Sequence, residues 1–271
     1  DETYDRMDET KRLFGLEKGK ERSGYVMRFV VIYITCILLF SKAFALDCRK
    51  DKFENIKLTI CKTSVFTDDL RLYLQNKHGV PYGNFNALQQ DLNDNGKELL
   101  FAMNGGMYHP DLGPVGHYKE EFSEKKTVIS GPGPGNFGML PNGIFCIGSN
   151  IFKVYETLDY LTRAPKCIYA TQSGPMLVWN NTLHPRFLKD SKSKFIRNGV
   201  GTSANKQQAY FVKAENALNL DTFARIFKEK LKVPNALYLD GKISRLYSKQ
   251  LNRHDFGWPM GPIVAVVRSN N

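Results

Sequence analysis

The sequence has little that announces a chemistry. It contains no HExxH or paired HxH, no acidic calcium loop and no glycine loop ending in Gly-Lys-Ser/Thr, so zinc peptidases, EF-hand-type calcium sites and P-loop nucleotide hydrolysis are excluded. Cysteine is scarce at five residues, at spacings that do not resemble a zinc site. No run approaches the ~20 apolar residues of a permanent bilayer-spanning helix. Residues 47–269 hold no repeat of fixed period and no Pro- or Ser-rich linker, so one domain is the simplest reading. Acidic residues are in deficit, 27 Asp plus Glu against 38 Lys plus Arg, and the net charge of +11 favours anionic partners. The lysines are spread along the chain rather than gathered in an aromatic-interleaved stripe, so no nucleic-acid partner is expected. With 42% hydrophobic and 24% charged residues, the composition is that of a folded globular protein.

Polarity changes abruptly at Met27. Residues 1–26 are charged and aperiodic and read as a non-native or over-extended start, the alternative being a cytoplasmic tail. From Met27, Arg28 supplies a short positive region, Phe29 to Phe40 an apolar run of 12 residues, and Ala43 and Ala45 the small residues of a cleavage site. Residues 27–45 therefore predict a signal peptide cleaved after Ala45, with an uncleaved anchor as the alternative. Membrane contact is expected only transiently, through that segment, and the protein is expected to be periplasmic or secreted. Asp47 before Cys48 argues against a lipoprotein. The domain that remains, 46–271, keeps four cysteines, an even set suited to an oxidising compartment. Of three pairings, Cys48 with Cys61 and Cys146 with Cys167 are favoured, because each pair lies on neighbouring strand-like segments; four buried free thiols are the alternative.

Strand-like apolar runs recur at Leu70–Leu74, Leu99–Met103, Gly143–Ile147, Lys166–Ala170, Met176–Trp179, Ala209–Val212, Ala236–Leu239 and Ile263–Val267. Helical spacing occurs near Phe85–Leu92 and through Leu220, Phe223, Ala224, Phe227 and Leu231, the latter opened by Asn219 as N-cap. The expected fold is α+β, a single domain with a mixed β-sheet core and a few helices. Apolar runs meet Asn-Gly or Asp-Gly steps at Asn104, Asn142, Asn198 and Asp240. Each such step is a favoured hairpin turn. It is also a place where a rigid polar group stands beside bare backbone, which suits a ligand rich in hydroxyl and phosphate oxygens. Asn104 has Gly105, Gly106 and His109 beside it, Arg197 precedes Asn198, and Asp240 ends an apolar strand before Gly241. Ser173 in Gln172-Ser173-Gly174 lacks the glycine two residues upstream that a nucleophile elbow requires. His117 and His184 are further candidates by their neighbours, and GPGPGNFG reads as a rigid loop whose prolines remove phosphate-binding N–H groups.

With these residues in view, the chain resembles the phosphodiester glycosidase family, the group that contains the uncovering enzyme, and its bacterial envelope members in particular. The resemblance runs from Phe101 to Val267 through FAMNGGMYHPDLGPVG, GPGNFGMLPNGIF, ATQSGPMLV, HPRF, IRNGVGT, FARIF, NALYLDGKISRLY and PMGPIVAVV, in the family's order. The family pattern commonly has Ala where this chain has Gly105, and an apolar residue where it has His117. The resemblance implies hydrolysis of a sugar-1-phosphodiester, such as an N-acetylglucosamine-1-phosphodiester, in envelope glycans. Under it, Arg197 would clamp the phosphate, Asp240 would act as general base or cation stabiliser and His109 as proton donor. Asn104, Gln172 and Ser173 would orient hydroxyls or phosphate, Asn198 would line the site, and the backbone of Gly105, Gly106, Gly174 and Gly241 would do the same. No cofactor is implied with certainty; a divalent cation held by Asp240 and Asn104 is left open. The expected partner is a sugar phosphodiester or an anionic envelope glycan. The competing reading is a non-catalytic glycan or cell-wall binding protein using the same strand ends. Both readings require Asn104, Arg197 and Asp240 to converge.

Overall fold

The computed structural model describes residues 46–270; the expected signal peptide and the segment before it lie outside the described residues. Three antiparallel sheets carry the domain. The first has seven strands in the order β1 (Asp47–Phe53), β2 (Ile56–Ser64), β13 (Gln208–Ala214), β12 (Asn198–Thr202), β14 (Asn235–Asp240), β10 (Met176–Trp179) and β11 (Thr182–Leu183). The second has five, β16 (Arg253–His254), β15 (Leu246–Ser248), β4 (Lys97–Asn104), β17 (Ile263–Ser269) and β3 (Asp69–Tyr73). The third also has five, β6 (Ser123–Lys126), β5 (Tyr118–Glu120), β9 (Tyr169–Ser173), β7 (Gly143–Gly148) and β8 (Ile151–Glu156).

The sheets correct the expectation of a mixed core, since every strand pair among the described residues is antiparallel. The physical reason lies in the connections. Short links such as Glu54-Asn55 between β1 and β2 and Ser149-Asn150 between β7 and β8 can only reverse the chain, whereas a parallel pair needs a long crossover. The run expected at Lys166–Ala170 begins as a strand only at Tyr169, after the Pro165-Lys166-Cys167 approach to the disulfide.

Strand alternation explains why several runs are apolar on both faces. In β14, Leu237 and Leu239 enter the core shared by the sheets, while Ala236 and Tyr238 face the cluster that contains Phe223 and Phe227. In β17, Val264 and Val266 join the shared core, and Ile263, Ala265 and Val267 pack with Phe85, Leu88 and Leu92. Those last three residues form the buried face of helix α1 (Phe85–Asp94), whose N-cap Asn84 accepts from Ala87 N at 2.9 Å. Helix α2 (Thr157–Arg163) was not expected from the sequence; Glu156 caps it. Helix α3 (Leu220–Arg225) is capped by Asn219 as expected, but it continues as a π-turn over Ile226–Lys230 rather than as one regular helix. Bare glycines in β12 let this helix lie close. A Cβ on Gly201 would stand 2.8 Å from Phe227 Cδ1, and one on Gly199 would stand 3.2 Å from Phe223 Cε1.

Both expected disulfides form. Cys48 and Cys61 join directly opposed residues of β1 and β2, and Cys146–Cys167 ties β7 to the segment entering β9. Among the described residues, no helix is long and apolar enough to cross a membrane.

Candidate functional site

The four Asn/Asp-Gly steps are not hairpin turns. A type I′ turn needs positive φ at both central residues, and Asn104, Asn142, Asn198 and Asp240 all lack it. Asn104 ends β4, Asn198 opens β12, Asp240 ends β14 and Asn142 directly precedes β7. Strand ends from all three sheets therefore meet at one place. Asn104 Nδ2 donates to Asp240 Oδ2 at 3.2 Å, and Asn198 Nδ2 donates to Asn104 Oδ1 at 3.2 Å. From the third sheet, Thr171 Oγ1 donates to the Gly105 carbonyl at 2.8 Å and Ser173 Oγ donates to the Leu239 carbonyl at 3.2 Å. Side chains at these glycines would crowd the junction: a Cβ at Gly106 would meet Thr171 Oγ1 at 2.7 Å, and one at Gly105 would press on Val264 N at 3.0 Å.

Asp240 is the buried carboxylate of the junction. Its Oδ1 accepts from Gly241 N at 2.5 Å and Lys242 N at 3.0 Å, while Oδ2 has two longer contacts, Asn104 Nδ2 and Ile243 N at 3.3 Å. Burial pushes this carboxyl above its ordinary value; the backbone N–H groups of Lys242, Gly241 and Ile243 pull against that rise without cancelling it. Oδ1 is the anchor. Oδ2 is the less tightly held oxygen. The N–H groups aimed at both oxygens put positive dipole ends where a directly bound divalent cation would have to sit, so the Asp240–Asn104 pair as folded does not fit one. Among the described residues, no cluster of three or more His, Cys, Asp or Glu is placed to hold a metal ion.

Arg197 converges on the same loop from the other side. Its guanidinium is buried, with Nε donating to Leu218 O at 2.8 Å, Nη1 to Tyr238 Oη at 2.9 Å and Nη2 to Ser193 O at 3.0 Å. A Cβ added to Gly241 would overlap Tyr238 Oη and lie 3.5 Å from Arg197 Nη1. Arg197 also lines a cavity of about 160 Å³ with Asn136, Arg186, Phe187 and Ser193. Asn104, Arg197, Asn198, Asp240 and Gly241 are thus brought together, with Gly105, Gly106 and Ser173 at the junction.

The other candidates are placed differently. Gln172 is bound to the protein at both ends of its amide: Oε1 accepts from His117 N and Ile129 N, both at 3.0 Å, and Nε2 donates to Ile129 O at 2.6 Å and Thr157 Oγ1 at 3.2 Å. Gly174, joined to Pro175 by a cis peptide, packs beside Asn142 and Phe137. His109 is exposed and lines a separate cleft of about 370 Å³ with Asp111, Glu120, Lys125 and Lys126. His117 is buried between the Lys126 carbonyl and the Tyr160 hydroxyl, and His184 between the Leu140 carbonyl and Arg186 N; burial lowers the pKa of both rings.

Sequence reasoning passed over Arg245. Its backbone N donates to Asn104 Oδ1 at 2.7 Å, the residue is 5% exposed, and its Nε and Nη2 have no hydrogen-bond partner among the described residues. The only available signal was a cation five residues beyond Asp240 in LDGKISR.

Comparison with known proteins then decides the family. The family model described as phosphodiester glycosidase matches residues 97–267, a span that contains every strand end of the junction. The chain belongs to the phosphodiester glycosidase family. The uncharacterized protein YigE of Escherichia coli K12 is 34% identical over 251 residues, covering 92% of this chain and 95% of that protein. The fold of this phosphodiester glycosidase family member is similar to the zebrafish N-acetylglucosamine-1-phosphodiester α-N-acetylglucosaminidase catalytic domain auto-inhibited by its pro-peptide, with a TM-score of 0.52, 12% identity and 82% of each chain covered. A putative exported protein from Burkholderia pseudomallei K96243 is similar at a TM-score of 0.52 and 9% identity, over 78% of this chain and 74% of that one.

Proposed function

We propose that the protein is an exported hydrolase of sugar-1-phosphodiesters in anionic envelope glycans. The observation that carries this reading is the buried Asp240 carboxylate, held by Asn104 at the meeting of three sheets within the family-matched span. A phosphate ester is already a good leaving group, so the reaction needs less acid assistance than an ordinary glycoside and more stabilisation of charge. Water adds its oxygen to the anomeric carbon, the bond from that carbon to the phosphate oxygen breaks, and the bonding pair leaves with the phosphomonoester.

Asp240 Oδ2 takes the proton of the attacking water, and the carboxylate faces the positive charge that develops on the sugar ring. Its raised pKa makes it a better base than a solvated carboxylate. Asn104 and the loop N–H groups hold it in one orientation. Arg197 braces Gly241 and Tyr238 and supplies positive potential beside the loop. Gln172 and Ser173 act as braces through their bonds to protein groups, and His109 stands apart from the chemistry. The two disulfides and the likeness to a putative exported protein support export.

The test is to incubate the full chain with an N-acetylglucosamine-1-phosphodiester in ¹⁸O-water, with and without EDTA, and to follow both products. Equal release of sugar and phosphomonoester, with the label in the sugar, is expected. Label in the phosphate would place the cleavage at phosphorus and sink the mechanism. Binding without release would leave a glycan-binding protein.

A further inference from the structure

Burying a guanidinium whose N–H groups meet no acceptor is costly, and in folded proteins such groups are met by an ordered water, an ion or a ligand. Among the described residues, four buried side-chain atoms have no partner: Tyr73 Oη, Asn198 Oδ1, Arg245 Nε and Arg245 Nη2. Three of the four belong to residues bonded to Asn104. This clustering points to function at one locus.

The chemistry of the open atoms is specific. Nε and Nη2 form one edge of the guanidinium, two parallel N–H groups spaced to grip two oxygens of a carboxylate or phosphate. Asn198 Oδ1 is an acceptor, suited to a hydroxyl. Burial lowers the pKa of Arg245 while Tyr108, Asp255 and Asp240 lie near enough to pull the other way, yet among the described residues no carboxylate pairs with it. Its cover is thin. The nearest atoms to a Cβ placed on Gly257 are Arg245 Cδ and Nε at 3.8 Å, and the flanking Phe256 and Trp258 are 73% and 79% exposed. Arg197, by contrast, has bonds from all three of its nitrogens to protein oxygens.

We infer that Arg245 is the residue that grips the phosphate of the substrate, two non-bridging oxygens on its Nε and Nη2, while Asn198 Oδ1 accepts a sugar hydroxyl. This rests on the sugar-phosphodiester reading above and deepens it, by moving the phosphate contact from Arg197 to Arg245. The sugar then lies between Arg245 and Asp240, both tied to Asn104.

The experiment is calorimetric titration of the full chain with N-acetylglucosamine 1-phosphate, for wild type, Arg245→Lys and Arg245→Met, alongside melting temperatures and phosphodiester kinetics. Arg245→Met is expected to weaken binding by about tenfold or more, equivalent to about 1.4 kcal/mol, and to keep or raise the melting temperature, because it removes an unpartnered buried charge. Arg245→Lys keeps the charge but loses the fork, and should raise KM more than it lowers kcat. A lowered melting temperature with unchanged binding in Arg245→Met would make the residue structural and overturn the inference, as would an unchanged KM in Arg245→Lys or no binding by wild type. If wild type releases no sugar yet binds the sugar phosphate through Arg245, the hydrolase reading fails and the phosphate site stands.

Discussion

Replacing Gly241 with alanine tests whether Arg197, Tyr238 and the Asp240 loop are packed as one unit. The new methyl would overlap the Tyr238 hydroxyl and stand 3.0 Å from its Cζ. Tyr238 is 1% exposed and packs edge-on against Phe223, so the ring has nowhere free to go. Overpacking of this kind costs about 1–3 kcal/mol. Driving the phenol away also removes the 2.9 Å bond from Arg197 Nη1, and a buried donor left alone costs about 1–3 kcal/mol more. The expected loss is roughly 2–6 kcal/mol, which at about 2–4 °C per kcal/mol for a domain of this size lowers the melting temperature by about 4–24 °C. Differential scanning calorimetry of the full chain reads it, with Gly131→Ala as control, since a Cβ at Gly131 meets nothing within 4 Å. Equal melting temperatures for the two variants, within about 1 °C, would refute the packing argument.

Removing either disulfide, by Cys48→Ala with Cys61→Ala or Cys146→Ala with Cys167→Ala, should destabilise by about 3 kcal/mol, since the closed loops are of similar length; reductant should lower the wild-type melting temperature, and an unchanged value would mean the bridges are absent in solution. Acid should also weaken the fold through Glu215: burial would raise its pKa, but bonds from Arg253 and Thr59 and the charge of Lys213 outweigh that and hold it at about 2. Its contribution is complete above the unfolded value of 4.5 and is lost as pH falls from there toward 2. After allowance for its partial exposure this amounts to roughly 1–2 kcal/mol. Urea titrations of Glu215→Gln should therefore show a flatter pH dependence across that window, and an unaltered slope would count against the network. Asp240 titrates in the opposite direction, so the acid limb of kcat/KM should lie above the ordinary carboxylate range; a limb at or below 3.8 would contradict the burial effect.

Much of the fold could be read from apolar runs and caps. Strand β14, helix α1 and the Asn219 cap follow directly from local sequence, and both disulfides follow from their strand-like surroundings. Strand β1, Asp-Cys-Arg-Lys-Asp-Lys-Phe, carries no apolar run, because an edge strand presents charges rather than an apolar face. Strands β5 and β6 are short and largely polar, and β6 is exposed throughout. The Asn-Gly and Asp-Gly steps were ambiguous for a physical reason: the same dipeptides serve tight turns and strand ends, and only the pairing of Asn198 with Asp240 across β12 and β14 distinguishes them. Arg245 was illegible because its open edge depends on Asn104, which is 141 residues away, and on Gly257 above it. Gln172 is a binding residue under the family resemblance, yet its partners Ile129 and Thr157 come from a loop and a helix that carry no signal in the sequence.

The central claim is that Asp240 performs the chemistry at a prebuilt junction, and the most direct measurement is single-turnover sugar release by Asp240→Asn from an N-acetylglucosamine-1-phosphodiester at saturating substrate. The account predicts a rate lowered by about 10²–10⁴-fold with binding of N-acetylglucosamine 1-phosphate retained. A folded variant that releases sugar at close to the wild-type rate would contradict it.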